Sequence, residues 1–583
     1  MLRSTRKIAR LIGSLLVGAT LPATVGLAAL TTVACKDESQ PEYWVEKLDD
    51  AAWQARAIKR LEQFFEDSLT KSNKDIKAAE VQDLINKTVE PLTKTYVEGG
   101  DMLDSKSRVA LIKLLSGYKD KRAEPAFKKA FTDFAKAPKG GKDDQDIKWA
   151  AIAAGDLKSE ALAGPMVEAF AKLRANTMLG GVVYKDYNAA MLDVSSKSWV
   201  QPLIAKVEAE VTRPQSRKDK GGVEDYMDQS FWQTTAAAVL GRIGDPAAVE
   251  PLIKVVLDPE KVDFHATAIV SLIQLGKPAS DAAIGLLKGT NANLQGYCVK
   301  RIKDTTGADP KGNPCVQTAA VILGTIGRAD AAGPMLDVLK SDADDATKAV
   351  VARELPKLPA TPDTLAAFKA TFESLPLDAQ IPPGISALES LTEAAGQFFD
   401  SSMVGWLLER AQVTKGDADD RKGLQQVVAI TAIKLAKPDQ LPAVKRAVDN
   451  YGTDLEKGLL KKSEALLQAC GDRANCYVEA LQKSENQDRS NQFVGIKAGY
   501  MAAIFGNDQT RDEIVSRLAT IENAAVRFVA AQAIDRLSPK GAKSAADKIG
   551  AIVDKNAKSP DRDKAMGDAP LKQVMYRLQA RGG

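Results

Sequence analysis

Five cysteines are the residues of this sequence whose type and spacing suggest covalent chemistry: Cys35, Cys298, Cys315, Cys470 and Cys476. None of the spacings is CxxC, which zinc knuckles and thioredoxin-like redox sites use. The four that follow Cys35 are an even number, which in an exported chain indicates two disulfides. Four cysteines allow three connectivities, and the spacing favours the local pairs, Cys298 with Cys315 and Cys470 with Cys476. We expect both pairs to be structural.

Other patterns that carry chemistry are weak in this sequence. The single histidine, His265, stands near the start of an apolar helical stretch, where packing or solvent exposure is the expected role, and a histidine metal cluster needs more than one imidazole. The acidic stretches 341–347 and 416–423 do not match the calcium loop D-x-[DN]-x-[DN]-G-x5-E, and we interpret them as helix caps and solvated surface. Phosphate-loop and nucleophile-elbow motifs are missing. We therefore predict no catalytic residue, no metal and no cofactor.

The charge pattern argues against nucleic acid as a partner. Lys and Arg number 80 against 76 Asp and Glu, and the surplus equals the four basic residues at the N-terminus, Arg3, Arg6, Lys7 and Arg10. The remaining body is formally neutral, whereas nucleic-acid binding normally requires a strongly basic face. A chain of 583 residues is also too long for one ordinary core, so several domains or a repeat array must divide it.

The N-terminus has the pattern of an export signal. A basic decapeptide precedes an uncharged run, Leu11–Ala34, which ends at Cys35. This arrangement resembles a bacterial lipoprotein signal, in which residues 1–34 are removed and Cys35 carries the lipid. Residues 35–45 then form a polar tether. The resemblance implies a periplasm-facing protein of a Gram-negative-type cell envelope, and Lys36 favours the outer membrane. Soluble export and an uncleaved transmembrane anchor are the alternatives.

A repeated segment organises the rest of the chain. "AVLGRIGDPAAVEPLIKVVL" is followed by a similar segment in which Gly276 and Pro278 stand 32 positions after Gly244 and Pro246. Gly327 has the same place in a third copy, and weaker copies occur on both sides. A fixed period of this length is typical of a solenoid, in which each unit buries its apolar face against the next.

The residues at the corner of one unit predict a turn between two helices. Gly244 can take the positive φ that ends a helix, Asp245 can cap the next helix, and Pro246 suits its first turn. Gly471 and Asp472 occupy the corresponding positions in a later copy. We therefore interpret these residues as structural corners and not as a site.

The helices on either side of this corner have distinct faces. Ala237, Leu240 and Gly241 give the first helix a face of mostly small residues, which a neighbouring helix can approach closely. The second helix has an apolar stripe at the i, i+3, i+4, i+7 spacing. The stripe consists of Val249, Leu252, Ile253 and Val256.

The "LGxIGDPxAVxPLIxxL" pattern resembles the HEAT-repeat family, in the short form first associated with phycobilisome (PBS) lyases. The resemblance implies an all-α protein: an α-solenoid, wound as a right-handed superhelix of about a dozen helical hairpins, with a concave face lined by the second helices. Three segments are expected. Degenerate repeats cover 46–230, the best-formed repeats with the Cys298–Cys315 insertion cover 231–370, and later repeats with a capping helix cover 371–583.

Departures from the repeat predict loops and one terminal helix. The polar stretches 137–146, 212–229 and 414–423 are expected to be exposed loops. Asp568 is expected to cap a last short helix at the open end of the stack. Of the aromatic residues before the best repeat, Trp232 is expected in the core.

The resulting hypothesis is a non-catalytic cell-envelope lipoprotein. Its solenoid surface would bind a protein or peptide partner, and its lipid would hold it to the membrane. One alternative is an enzyme, of the bilin-lyase type or with a carboxylate site in an inserted loop. Another is a purely structural component of the envelope.

Overall fold

The computed structural model describes residues 37–137, 145–174, 183–214, 216, 218–308, 312–557 and 569–582. Cys35 and the expected signal segment lie outside these residues, as does Asp568. The described chain is an all-α solenoid, which confirms the predicted fold class. No helix within the described residues combines the length and apolar character needed to cross a bilayer.

The helices follow one another at short intervals along the chain. Those of the first half are α1 (Pro41–Glu46), α2 (Gln54–Lys71), α3 (Ala79–Gly99), α4 (Ser105–Tyr118), α5 (Glu124–Lys136), α6 (Gln145–Leu157), α7 (Ala163–Phe170), α8 (Val183–Val194), α9 (Val200–Glu208), α10 (Lys220–Ile243), α11 (Val249–Leu257), α12 (His265–Leu275), α13 (Lys277–Leu287) and α14 (Ala292–Thr306).

Those of the second half are α15 (Pro314–Ile326), α16 (Ala332–Lys340), α17 (Asp345–Glu354), α18 (Pro362–Ser374), α19 (Ala387–Gly396), α20 (Met403–Arg410), α21 (Ala418–Leu435), α22 (Leu441–Tyr451), α23 (Asp454–Cys470), α24 (Ala474–Gln482), α25 (Gln492–Phe505), α26 (Asp508–Arg517), α27 (Ala524–Arg536), α28 (Lys543–Ala557) and α29 (Ala569–Gly582). Two short strands, β1 (Gln380–Ile381) and β2 (Ile385–Ser386), pair antiparallel with Ile381 opposite Ile385.

The hairpins stack in two layers. First helices pack against first helices, as α4, α6, α8, α10 and α12 do in succession, while second helices such as α5, α7, α9 and α11 form the other layer. Several second helices also pack against the first helix of the next hairpin, as α5 does against α6, α9 against α10 and α11 against α12. One continuous apolar core therefore runs between the layers, as expected of a repeat array in which no unit is stable alone.

The corner of the best repeat has the geometry that its sequence predicts. Gly244 ends α10 with φ 75°, in the left-handed region. The Asp245 carboxylate accepts a hydrogen bond from the Ala247 backbone N–H at 2.9 Å, and Pro246 is the first residue of the short 3₁₀ turn that leads into α11. The stripe on α11 is buried.

The other corners are similar but not identical. Gly276, Gly327 and Gly471 have φ values of 60°, 72° and 60°, and Pro278 lies in the first turn of α13. Asp472 does not cap α24, whose N-cap residue is Arg473. The expectation drawn from Asp245 fails here because α24 begins two residues after Asp472 without an intervening 3₁₀ turn.

Glycines on the first helices allow neighbouring hairpins to approach closely. A Cβ atom on Gly241 would lie 2.7 Å from Cα of Ser271, on the next first helix. A Cβ on Gly324 would lie 2.8 Å from Cβ of Glu354, and the same crowding recurs in later hairpins. Since real Cβ atoms do not come so close to other carbon atoms, the small face predicted for the first helix sets the spacing of the stack.

Two of the expected loops are partly helical. The stretch 212–229 contains the start of α10, which begins at Lys220, and Asp228 within it is fully buried. The stretch 414–423 contains the start of α21, where the Asp417 carboxylate caps the helix. In the third stretch, residues 138–144 lie outside the described residues. Polar composition suggested loops here, but capping and burial against neighbours produce helices.

The segment boundaries expected from the sequence do not coincide with breaks in the stack. The boundary at 230/231 falls inside α10, and the boundary at 370/371 falls inside α18. The expected tether, 35–45, overlaps α1, in which Trp44 is fully buried. The described repeats thus form one continuous array across these positions.

The last helix, α29, packs against α28 and α27, as a capping helix at the end of the stack should. Its apolar residues Leu571, Val574, Met575 and Leu578 are all buried. It also packs against α12, which the sequence did not suggest. The C-terminal part of the solenoid therefore closes on itself, with α29 bridging its two ends.

Candidate functional sites

The structure places each cysteine of the expected disulfides beside its expected partner. The sulfur atoms of Cys298 and Cys315 are 2.08 Å apart, and those of Cys470 and Cys476 are 2.02 Å apart. The first pair joins α14, the helix of the insertion, to α15. The second pair spans the corner between α23 and α24.

A polar cluster also holds the insertion helix. The Tyr297 hydroxyl donates to Asp258 Oδ2 at 3.1 Å, and the Arg301 guanidinium donates to Asp258 Oδ1 at 3.0 Å. Burial, followed by the Asp258 charge, raises the pKa of Tyr297, so its hydroxyl stays a donor. His265 belongs to the same neighbourhood, with Nε2 3.1 Å from the Asp258 carbonyl oxygen. These contacts make the cluster structural.

The acidic stretches act as helix caps. The Asp344 carboxylate accepts from the Thr347 backbone N–H at 2.9 Å at the start of α17, and the Asp417 carboxylate accepts from the Asp419 N–H at 2.8 Å. Within the described ranges, no group of three or more His, Cys, Asp or Glu side chains is arranged to hold a metal ion.

A groove beside Trp232 is the first candidate site. It lies between the loop that follows α9 and the N-terminal half of α10, and it is open to solvent. One part of Trp232 packs on the core, as the sequence suggested, and the side chain also lines the groove. The Lys206 ammonium lies 4.6 Å from the centroid of its ring.

The groove has charged walls of both signs. Arg213 lines one side, and its guanidinium lies 3.4 Å from Asp263 Oδ2. Asp219 and Asp225 also line the groove. The sequence did not reveal this site because α10 starts earlier than its polar composition suggested, and that extra helix forms one wall.

The junction made by α29 is the second candidate site. The Arg577 guanidinium donates to the carbonyl oxygens of Gly324 at 2.6 Å and Thr325 at 2.8 Å, at the C-terminal end of α15. It also pairs with Asp535 on α27 at 2.9 Å. Arg581, one turn later, donates to the Gly327 carbonyl oxygen at 2.7 Å and contacts the same carboxylate. Two arginines thus connect helices that are far apart in the chain.

A cavity of about 40 Å³ lies beside this junction. Its charged lining residues are Lys357, Asp535, Arg536, Arg577 and Arg581, and the amide side chains of Gln397 and Gln532 also face it. Burial lowers the pKa of the Arg536 and Arg577 guanidinium groups below the usual arginine range. Both still carry their charge near neutral pH because that range is so high.

The stack and its long surfaces define the class of this protein, an α-solenoid whose architecture is compatible with a protein-binding scaffold. Residues 232–258 match the model of the PBS lyase HEAT-like repeat family. No curated protein matches the sequence. Among solved structures, it is similar to the karyopherin Kap121p bound to the extreme C-terminus of the protein phosphatase Cdc14p. The identity is 12% and the TM-score 0.20, over 93% of this chain and 80% of that chain.

Proposed function

We propose that this chain is a non-catalytic lipoprotein of the cell envelope, which binds another protein or a peptide along its solenoid surface. The observation that carries the proposal is the groove beside Trp232, which lies immediately before the segment that matches the HEAT-like family. The groove is open to solvent, so an extended or helical segment of a partner can reach its lining residues.

The residue types in the groove support protein recognition. Tryptophan and arginine are enriched among the side chains that dominate binding energy at interfaces, and Trp232 and Arg213 both line this groove. Carboxylates at Asp219 and Asp225 add polar contacts that can select among partners. The groove therefore fits a segment that carries an apolar anchor flanked by charges of both signs.

A direct binding assay tests this proposal. A partner captured from envelope extract with the full chain is purified, and its affinity is measured by titration calorimetry. Trp232→Ala and Arg213→Glu are each expected to weaken binding by about tenfold or more, which corresponds to the loss of one anchor residue. Arg446→Glu, on the exposed face of α22, is the matched control and is expected to bind normally. Unchanged affinity in both groove variants would rule out this surface.

Membrane attachment has its own test. Replacing Cys35 with Ser removes the thiol that would carry the lipid, so the protein is expected to move from the membrane to the soluble envelope fraction. Continued association with membranes in the C35S variant would favour an uncleaved anchor. Turnover of a screened substrate that one carboxylate substitution abolishes would overturn the non-catalytic assignment.

A further inference from the structure

The cavity beside α29 is lined by three arginines, which differ in the hydrogen bonds that their guanidinium groups make. Arg577 and Arg581 direct their N–H groups to backbone carbonyl oxygens and to Asp535. Arg536, the last residue of α27, also lines the cavity. Its guanidinium makes no hydrogen bond or ion pair within the described part of the chain. A half-buried guanidinium whose N–H groups make no hydrogen bond costs free energy unless a ligand or a water molecule accepts from them.

Two further donors face the same space. The side-chain amides of Gln397, after α19, and Gln532, on α27, line the cavity without hydrogen bonds to the described residues. The cavity thus presents one guanidinium and two amide groups from two hairpins that are distant in sequence. Phe399 and Pro359 contribute apolar walls, which strengthen electrostatic interactions by displacing water.

The charges around the cavity favour an anion. Four cationic side chains line it against one carboxylate, Asp535. Outside the lining, Asp400 acts on Arg536 and Glu354 acts on Arg577, and Glu354 is paired with Lys357 and Arg353. Even with both counted, positive charge remains in excess. Arg577 and Arg581 make the electrostatic potential in the cavity more positive, while the N–H groups of Arg536 are available to donate hydrogen bonds to a ligand.

We propose that this cavity is a binding site for an oxyanion group, a carboxylate or a phosphate, with Arg536 as its main donor. A guanidinium binds both groups through two parallel N–H···O bonds. The bound anion would lie between α27 and the hairpins around α17 and α19, so binding would stabilise the closed arrangement of the solenoid. The site is independent of the groove beside Trp232.

Titration of the purified full chain with sodium phosphate, and separately with sodium acetate, tests the proposal at constant ionic strength set by sodium chloride. At least one of the two anions is expected to bind saturably by calorimetry and to raise the midpoint of thermal unfolding. The anion with the higher affinity identifies the type of group. Absence of saturable binding by both would overturn the proposal.

Substitution of the donor separates a specific site from general charge effects. Arg536→Gln is expected to weaken binding by about tenfold or more, because it removes a charge-assisted bidentate contact. Without anion, R536Q should be close to the wild type in thermal stability, since it loses only the longer-range attraction of Asp400 and Asp535 and no hydrogen bond within the described residues. Arg446→Gln is the matched control and should bind normally. Equal affinity for the anion in R536Q and the wild type would overturn the proposal. If R536Q does not fold, Gln532→Leu replaces it in the same comparison.

Discussion

The Nε atom of Arg577 donates a hydrogen bond of 2.8 Å to the carbonyl oxygen of Thr325, a residue 252 positions earlier in the chain. Thr325 lies in the last turn of α15, where carbonyl groups have no helical partner and the helix dipole is negative. The buried Arg577 guanidinium donates hydrogen bonds to these carbonyl groups, and its positive charge interacts favourably with the negative end of the dipole. This contact explains how a stack built from local hairpins closes over a long sequence separation.

Removing Arg577 should open this closure. In Arg577→Ala, Asp535 loses one of its two cationic partners, and the carbonyl groups of Gly324 and Thr325 lose their donor. We expect the free energy of unfolding to fall by about 3–5 kcal/mol, as for other broken buried ion pairs. Urea denaturation measures the loss, and amide hydrogen exchange should accelerate in α29 before other helices. Arg446→Ala serves as the surface control. If Arg577→Ala and Arg446→Ala lower the free energy of unfolding equally, the contact of Arg577 with α15 does not hold the array closed.

The spacing between first helices predicts opposite effects for two glycine substitutions. In Gly241→Ala the new methyl group would lie 2.6 Å from Cβ of Ser271, so overpacking should cost about 1–3 kcal/mol. In Gly458→Ala, on the exposed face of α23, nothing lies within 4 Å of the new atom. Its better helix propensity should stabilise the protein by about 0.5–1 kcal/mol. Thermal unfolding measures both changes, and stabilisation by G241A would disprove the close approach.

The two disulfides should differ in their contribution. Cys298 and Cys315 are 17 positions apart, and Cys470 and Cys476 are 6 apart. On the chain-entropy relation, the loops contribute about 3 and about 2 kcal/mol respectively. Double Cys→Ser variants of each pair, compared by urea denaturation, should show this order. Peptide mapping under non-reducing conditions checks the pairing itself, and finding free thiols at these positions would contradict it.

A buried lysine should make stability depend on pH. The Lys497 ammonium is fully buried and donates to the carbonyl oxygens of Lys434 and Ala436, at the C-terminal end of α21. Burial lowers the pKa of Lys497 well below its ordinary value of 10.5. Between these two pKa values the unfolded chain binds more protons than the folded chain, so the free energy of unfolding increases as the pH rises.

The comparison of Lys497→Met with the wild type isolates this effect. The wild type should gain stability relative to K497M between about pH 7 and about pH 9, because only the wild type releases this proton on folding. Urea denaturation at both pH values gives the difference. Lys445→Met, an exposed substitution on α22, should leave the pH dependence of the wild type unchanged. If the difference in the free energy of unfolding between the wild type and K497M is the same at both pH values, Lys497 has the same pKa in the folded and the unfolded chain.

Much of one hairpin could be predicted from its residues. Gly244, Asp245 and Pro246 form the expected corner, and the apolar stripe of α11 is buried as its spacing indicated. The prediction failed where polar residues find partners in other hairpins. Asp228 suggested a loop, but its carboxylate lies 2.5 Å from the Arg174 guanidinium and is buried within α10. That ion pair joins segments whose proximity no local pattern encodes.

The sequence by itself determined the repeating unit, because glycine conformation, helix capping and apolar periodicity act over a few residues and recur in each copy. Only the tertiary structure decided that the array closes through α29 and that Arg536 faces a cavity. Whether a buried charge is stable depends on groups hundreds of residues away, and those groups become neighbours only when the whole stack has folded.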